Sequence, residues 1–300
     1  AQSDGLTATV FSSYPELEQA ISRVLSDGDP LIHIVHQPDE KLIEIQIARL
    51  PDSRDETAGA VALLRDITES ERLEQTRREY VANISHELRT PLTAIRGLLE
   101  PLIDGMVSDE TTRRRYYGIL LRETARLSHL IDDMLELSRL QAHAQPIEMS
   151  RLRLQDLLPD LEMKYRSQAE DNELELVMPD QLDQCPPVSG NAARIEQVLV
   201  ILIDNAIKFT PAGGRVSLEL SWDQELVWMT VRDTGIGIDP RDIDHVFDRF
   251  YKADKAHQQP GTGLGLSIAR EILSRMKQTI TVSSVPDQGT AFTFSLSRFY

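Results

Sequence analysis

The chain has 300 residues, 48 acidic and 32 basic side chains and a formal net charge of −16. That balance argues against a nucleic-acid binder, which needs a basic face, and 41% hydrophobic residues argue against a disordered polymer. A single cysteine, Cys185, excludes an internal disulfide or a thiolate metal cluster.

The length suggests two or three domains. The longest apolar run, VLVILI at 198–203, is far too short to span a membrane. No signal-peptide pattern opens the chain. It starts at Ala1, so we expect a processed or cut chain, for which the missing membrane segment says nothing of the full-length protein; the separate expectation is that this part lies in the cytoplasm and the full-length protein is anchored in a bacterial membrane.

Taken in order, residues 15–26 have helical spacing at Leu17, Ala20, Ile21 and Leu25. Three strand-like runs follow: LIHIVHQ, KLIEIQIARL with Leu42, Ile43, Ile45, Ile47 and Leu50 as its apolar set, and AVALLRDIT. They make a small α+β piece. His33 and His36 within it are more simply structural than metal-ligating. From Glu69 to Met106 apolar residues recur at helical intervals between charged ones. IDGMVSDE breaks the pattern, and a second helix is predicted from Glu110 to Gln141. Two such helices form an antiparallel hairpin, and two copies would close a dimeric four-helix bundle. HAQPIEMSR reads as a linker. Beyond Ile147 helices and strand pairs mix as in a two-layer α/β sandwich.

Four short motifs in the last part carry chemistry. Asn205 lies in DNAIKFTPAGG, Asp233 opens DTGIGI, Phe247 and Phe250 lie in VFDRFY, and Gly261, Thr262, Gly263, Leu264 and Gly265 make up GTGLG. The glycine run is neither a dinucleotide fingerprint nor a P-loop. It offers backbone able to approach a phosphate, followed by a helix N-terminus that favours anions. Asn205 and Lys208 are three apart, on one helical face. An amide oxygen can ligate Mg²⁺ and an ammonium can reach phosphate, so a nucleotide with its metal fits. In the hairpin, SHELRTPL places His86, Glu87, Thr90 and Pro91 together. A polar surface patch closed by a helix-ending proline would explain those eight residues equally well by themselves.

Together these stretches resemble the sensor histidine kinases of two-component signalling. YVANISHELRTPL resembles the phosphoacceptor box, QVLVILIDNAIKFTP the N box, DTGIGI and GTGLGL the two glycine boxes, VFDRFY the F box and QGTAFTF the final strand motif. The N-terminal piece, ending in DIT at 66–68, resembles part of a PAS sensor domain. The expected organisation is a multidomain α+β chain: a partial PAS-like piece over 1–68, a dimerising phosphotransfer hairpin over 69–145, and a Bergerat-type ATP-binding sandwich over 146–300.

The resemblance implies residue roles. His86 is the phosphoacceptor, with Glu87 as orienter and general base and Asn83 in support. Thr90 is implied to position a water that dephosphorylates the partner. Pro91 implies a hinge beside His86, or only a packing kink. Asn205 is the implied Mg²⁺ ligand, Lys208 a phosphate contact, and Asp233 the adenine anchor, with Gly235 and Gly237 allowing close approach. Phe247 and Phe250 anchor an ATP lid that ends at the second glycine box. Lys252 either touches phosphate or is a solvated lysine. The implied substrate is ATP with Mg²⁺, and the implied partners are a second copy and a response-regulator receiver domain.

Two positions depart from the pattern. Ile201 stands where the N box usually has a second asparagine, and Pro260 where many relatives have another glycine. An Hsp90-, gyrase B- or MutL-like ATPase is disfavoured by the histidine-bearing hairpin. A degenerate sensor that binds ATP without useful transfer finds its only support in Ile201.

Overall fold

The computed structural model describes residues 20–21, 23–24, 26, 31–36, 41–51, 57–141, 147–253 and 261–300. The chain forms two compact units, 1–84 and 85–300. Most of the predicted helix over 15–26 lies outside the described residues.

In the first unit three antiparallel strands, β1 (Leu31–His36), β2 (Leu42–Pro51) and β3 (Thr57–Asp66), pair in sequence order. Period-two alternation in β2 puts Ile43, Ile45 and Ile47 into a core with Val24. Leu50 does not join them: it is 49% exposed, because pairing runs unbroken to Leu50 and its even position on β2 faces away from Ile43, Ile45 and Ile47. At the end of β3, Asp66 accepts from the backbone N–H and hydroxyl of Thr68, and the Thr68 hydroxyl accepts from the Leu42 N–H.

A long helix, α1 (Thr68–Ile103), follows and continues unbroken through Pro91, which is buried. It ends three residues before the predicted Met106, because Gly105 takes φ +70° and turns the chain. Helix α2 (Glu110–Gln141) starts where Asp109 accepts from the Thr112 N–H at 2.7 Å, an N-terminal cap.

The remainder of the second unit is a five-stranded sheet backed by helices. In chain order it comprises β4 (Ser150–Leu152), α3 (Leu154–Asp171), β5 (Glu175–Val177), β6 (Val188–Gly190), α4 (Ala192–Phe209), β7 (Arg215–Trp222), β8 (Leu226–Asp233), α5 (Gly265–Arg275), β9 (Ile280–Val285) and β10 (Gly289–Ser297). The sheet order is β5-β7-β8-β10-β9, with only the β5–β7 pair parallel; β4 and β6 pair separately. Alternation in β8 buries Val227, Met229 and Val231. In α4 the 3-1-3-1-3 spacing of Ile195, Val198, Leu199, Leu202, Ile203 and Ala206 buries one whole face. Each such large side chain contributes roughly 1.5–3 kcal/mol. The helix is capped by Asn191, which accepts from the Arg194 N–H at 3.1 Å, and stops before Pro211, with the Thr210 hydroxyl turned back onto the Ala206 carbonyl at 2.6 Å.

Candidate active site

The packed face of α4 fixes what its other face can do. Asn205 and Lys208 project from it into a cavity of about 620 Å³, the size of a small-ligand site. Asp233, at the end of β8, lines the same cavity with Gly237, Lys252, Gly261, Thr262, Gly263 and Gly265. The sheet thus brings together motifs spread over some sixty residues of sequence. Gly235 and Leu264 do not line the cavity, and the Leu264 side chain is fully buried in the core.

Asp233 is 7% exposed. Its Oδ1 accepts from the backbone N–H groups of Gly235 at 2.8 Å and Thr290 at 3.2 Å. Burial raises its pKa above the ordinary carboxylate value, and the two N–H groups offset part of that shift. Both bonds fall on one oxygen, so Oδ2 remains to accept from a ligand. The next turn needs glycine for the protein's own packing: Gly237 has φ +63°, and a Cβ there would lie 2.1 Å from the Val285 carbonyl oxygen. Close approach is therefore first to strand β9.

Lys208 is pushed down to about 8, by burial first and then by the charges of Lys252 and Arg126. Its ammonium lies 4.4 Å from the centre of the Phe209 ring. Neighbouring Asp204 also lines the cavity and accepts from the buried Tyr165 hydroxyl at 2.9 Å. Ile201 packs its Cγ2 3.3 Å from where a Cβ at Gly265 would stand, so hydrocarbon occupies the second N-box position. The donor set fits Mg²⁺ carried on a phosphate. Asn205 supplies an amide oxygen, and among the described residues no group of three or more His, Cys, Asp or Glu could hold the ion unaided.

Phe247 and Phe250, expected to anchor a lid, do not line the cavity. Phe247 is buried and meets Phe292 edge-on, with ring centroids 6.0 Å apart. Phe250 takes φ +62°, a left-handed conformation uncommon for a bulky residue, held by its N–H donating to the Gly263 carbonyl at 2.9 Å. Residues 254–260, including Pro260, lie outside the described residues. Lys252 is not a solvated lysine: its side chain is 16% exposed and donates to Glu87 Oε2 at 2.9 Å.

On the hairpin His86 is exposed. The Thr90 hydroxyl donates to the His86 carbonyl at 3.2 Å, a local helix bond that leaves its lone pairs outward. Asn83 is exposed in the first unit. Glu87 faces Lys252 and Arg126. Helix α2 also closes one side of the cavity with His129 and Asp133. Asp133 accepts from the Thr262 hydroxyl at 2.8 Å, and burial raises its pKa. Arg194 of α4 pairs with Glu136 on the same helix. Sequence reasoning missed His129, Asp133 and Asp204. The i, i+4 spacing of His129 and Asp133 was the one available signal, and solvated helix faces show it too.

Among the described residues no helix is long and apolar enough to cross a membrane. Residues 76–143 match the His Kinase A (phospho-acceptor) domain family, and residues 190–298 match the histidine kinase-, DNA gyrase B- and HSP90-like ATPase family. The chain is 33% identical over 278 residues to the sensor histidine kinase WalK of Bacillus subtilis, covering 91% of this chain and 45% of WalK. The chain therefore spans less than half the length of that relative. Among solved structures, the histidine kinase AdeS of Acinetobacter baumannii aligns with TM-score 0.58 and 28% identity, covering 72% of this chain and 98% of that one. Full-length ShkA, solved in complex with AMPPNP, aligns with TM-score 0.55 and 27% identity, over 74% of this chain and 46% of that one. A phosphoacceptor hairpin followed by an ATPase-like sandwich, and kinship with these sensors along most of its length, make this chain a member of the two-component sensor histidine kinase family.

Proposed function

We propose that the chain binds ATP with Mg²⁺ and transfers its γ-phosphoryl group to His86. The observation that carries this reading is the convergence of Asn205, Lys208, Asp233 and the glycine loop on one cavity whose mouth reaches the phosphoacceptor box through the Lys252–Glu87 contact. Asp233 Oδ2 would accept from the adenine amino group. Lys208 would hold the phosphates, and Asn205 would hold Mg²⁺, which neutralises phosphate charge when bound. A neutral imidazole nitrogen of His86 attacks the γ-phosphorus. An N–P bond forms, the bond to the β,γ-bridging oxygen breaks, and ADP leaves with that electron pair. The imidazolium proton passes to Glu87.

The phosphoryl group is then read as passing to an aspartate of a response-regulator receiver domain. Thr90, whose hydroxyl oxygen faces outward, is read as orienting water for the reverse signal, hydrolysis of the phosphorylated regulator. Dimerisation through the hairpin is supported by a row of exposed apolar residues: Leu92, Leu99, Ile103, Leu121, Ile131 and Leu135 are 41–79% exposed. The N-terminal sheet is read as part of a PAS-like sensor, and the longer protein as membrane-anchored with this part in the cytoplasm.

Labelling with γ-labelled ATP and Mg²⁺, alongside His86→Ala, tests the reading. Acid-labile, base-stable label is expected in the wild type and not in the variant. ATP binding without label in the wild type would leave the degenerate sensor instead. Thr90→Ala should keep the label and lose the hydrolysis of a phosphorylated receiver domain.

A further inference from the structure

Lys208 and Lys252 line the cavity, a third cation sits against Glu87 in the phosphoacceptor box, and of the three the mechanism above uses only Lys208. The third is Arg126, on α2. Its Nη2 lies 3.7 Å from Glu87 Oε2, the same oxygen that accepts from Lys252, and its Nη1 lies 4.0 Å from Glu123. Its side chain is 32% exposed, so the guanidinium is partly desolvated without being locked in place. The depression of the Lys208 pKa by both Lys252 and Arg126 places all three charges within one electrostatic neighbourhood.

We propose that Arg126 is a phosphate-contacting catalytic residue of the transfer step, bringing its guanidinium from Glu87 onto the γ-phosphoryl group as that group moves to His86. This rests on the kinase reading above. Arg126 travels with Glu87 on the same hairpin and so stays one side chain from His86 wherever the nucleotide comes from. Phosphoryl transfer asks little covalent chemistry of a protein and much charge stabilisation at the three equatorial oxygens. A planar guanidinium can meet two of those oxygens at once, which an ammonium cannot. A γ-phosphate also carries more charge than one carboxylate, so it competes for Arg126 and Lys252. Their release frees Glu87 to take the imidazole proton. One exchange of partners thus assembles both the cation clamp and the base.

The test is single-turnover labelling of the full chain at saturating γ-labelled ATP, in wild type, Arg126→Gln and Arg126→Lys. Each is made both alone and with Glu87→Gln, and ATP affinity is measured separately with a fluorescent nucleotide. Arg126→Gln should lower the labelling rate roughly 30-fold or more, with ATP affinity and dimer mass retained. Arg126→Lys should restore only part of the rate. The loss should persist in the Glu87→Gln background. A normal rate in Arg126→Gln overturns the inference. So does a loss that disappears once Glu87 is Gln, since Arg126 would then act only by holding Glu87. A wild type that leaves His86 unlabelled overturns the kinase reading itself, and this inference with it.

Discussion

Replacing Asp233 by asparagine separates the two jobs of this carboxylate. As a scaffold, Oδ1 accepts from the N–H groups of Gly235 and Thr290, at 2.8 and 3.2 Å. An asparagine oxygen in the same place accepts both, so the glycine turn should survive. In its proposed role as adenine anchor, Oδ2 would become an NH₂ facing the adenine amino group donor to donor. Losing the acceptor and burying an unpaired donor costs about 2–3 kcal/mol, or roughly 30- to 150-fold in ATP affinity. Stability should move the other way. Burial raises the folded pKa of Asp233, so the fold holds this proton more tightly than the unfolded chain does. Its ionisation therefore costs stability as pH climbs from the ordinary aspartate value through the folded one. Asparagine removes that cost, so the variant should be more stable than wild type at pH 7, by a margin that shrinks on acidification. Nucleotide titration and urea unfolding at pH 7 and pH 4.5 measure the two effects. ATP affinity within threefold of wild type would refute Asp233 as the adenine anchor. A large loss of stability would refute the assignment of its bonds to scaffold alone.

Two further substitutions probe the neighbouring face of α4. Lys208→Met should weaken ATP binding yet raise stability at pH 7 by roughly 1–2 kcal/mol after solvent screening, because burial and two nearby cations depress the lysine. A lysine depressed to about 8 costs the fold most below that pH, and the cost fades as pH rises towards the ordinary lysine value, so the advantage of methionine should shrink between pH 8 and pH 10.5. Equal unfolding midpoints at pH 7 would refute this. Ile201→Asn puts an amide oxygen beside the glycine loop in place of hydrocarbon, and should raise the labelling rate or lower the Mg²⁺ concentration needed for half-maximal rate. No change in either would remove Ile201 as a brake on the kinase.

Local signals in the sequence determined a good deal. The 3-1-3-1-3 spacing of α4, the alternation of β8, the Asn191 cap and the glycine turns each depend on a few neighbouring residues, and the motifs that meet in the cavity sit at element ends which those patterns locate. Legibility failed at Leu50, an apolar residue out of phase with Ile43, Ile45 and Ile47, and at Met106, beyond the left-handed Gly105. The tertiary structure alone decided which solvated-looking charges have work to do. Lys252, Arg126, Asp133 and Glu136 sit in charged stretches indistinguishable from surface, because an ion pair between residues 165 apart, such as Glu87 and Lys252, leaves no periodic mark on either segment. The Glu87–Lys252 pair exists only once the sandwich packs against the hairpin, and it is that packing which adds Lys252 to the Arg126 already beside Glu87.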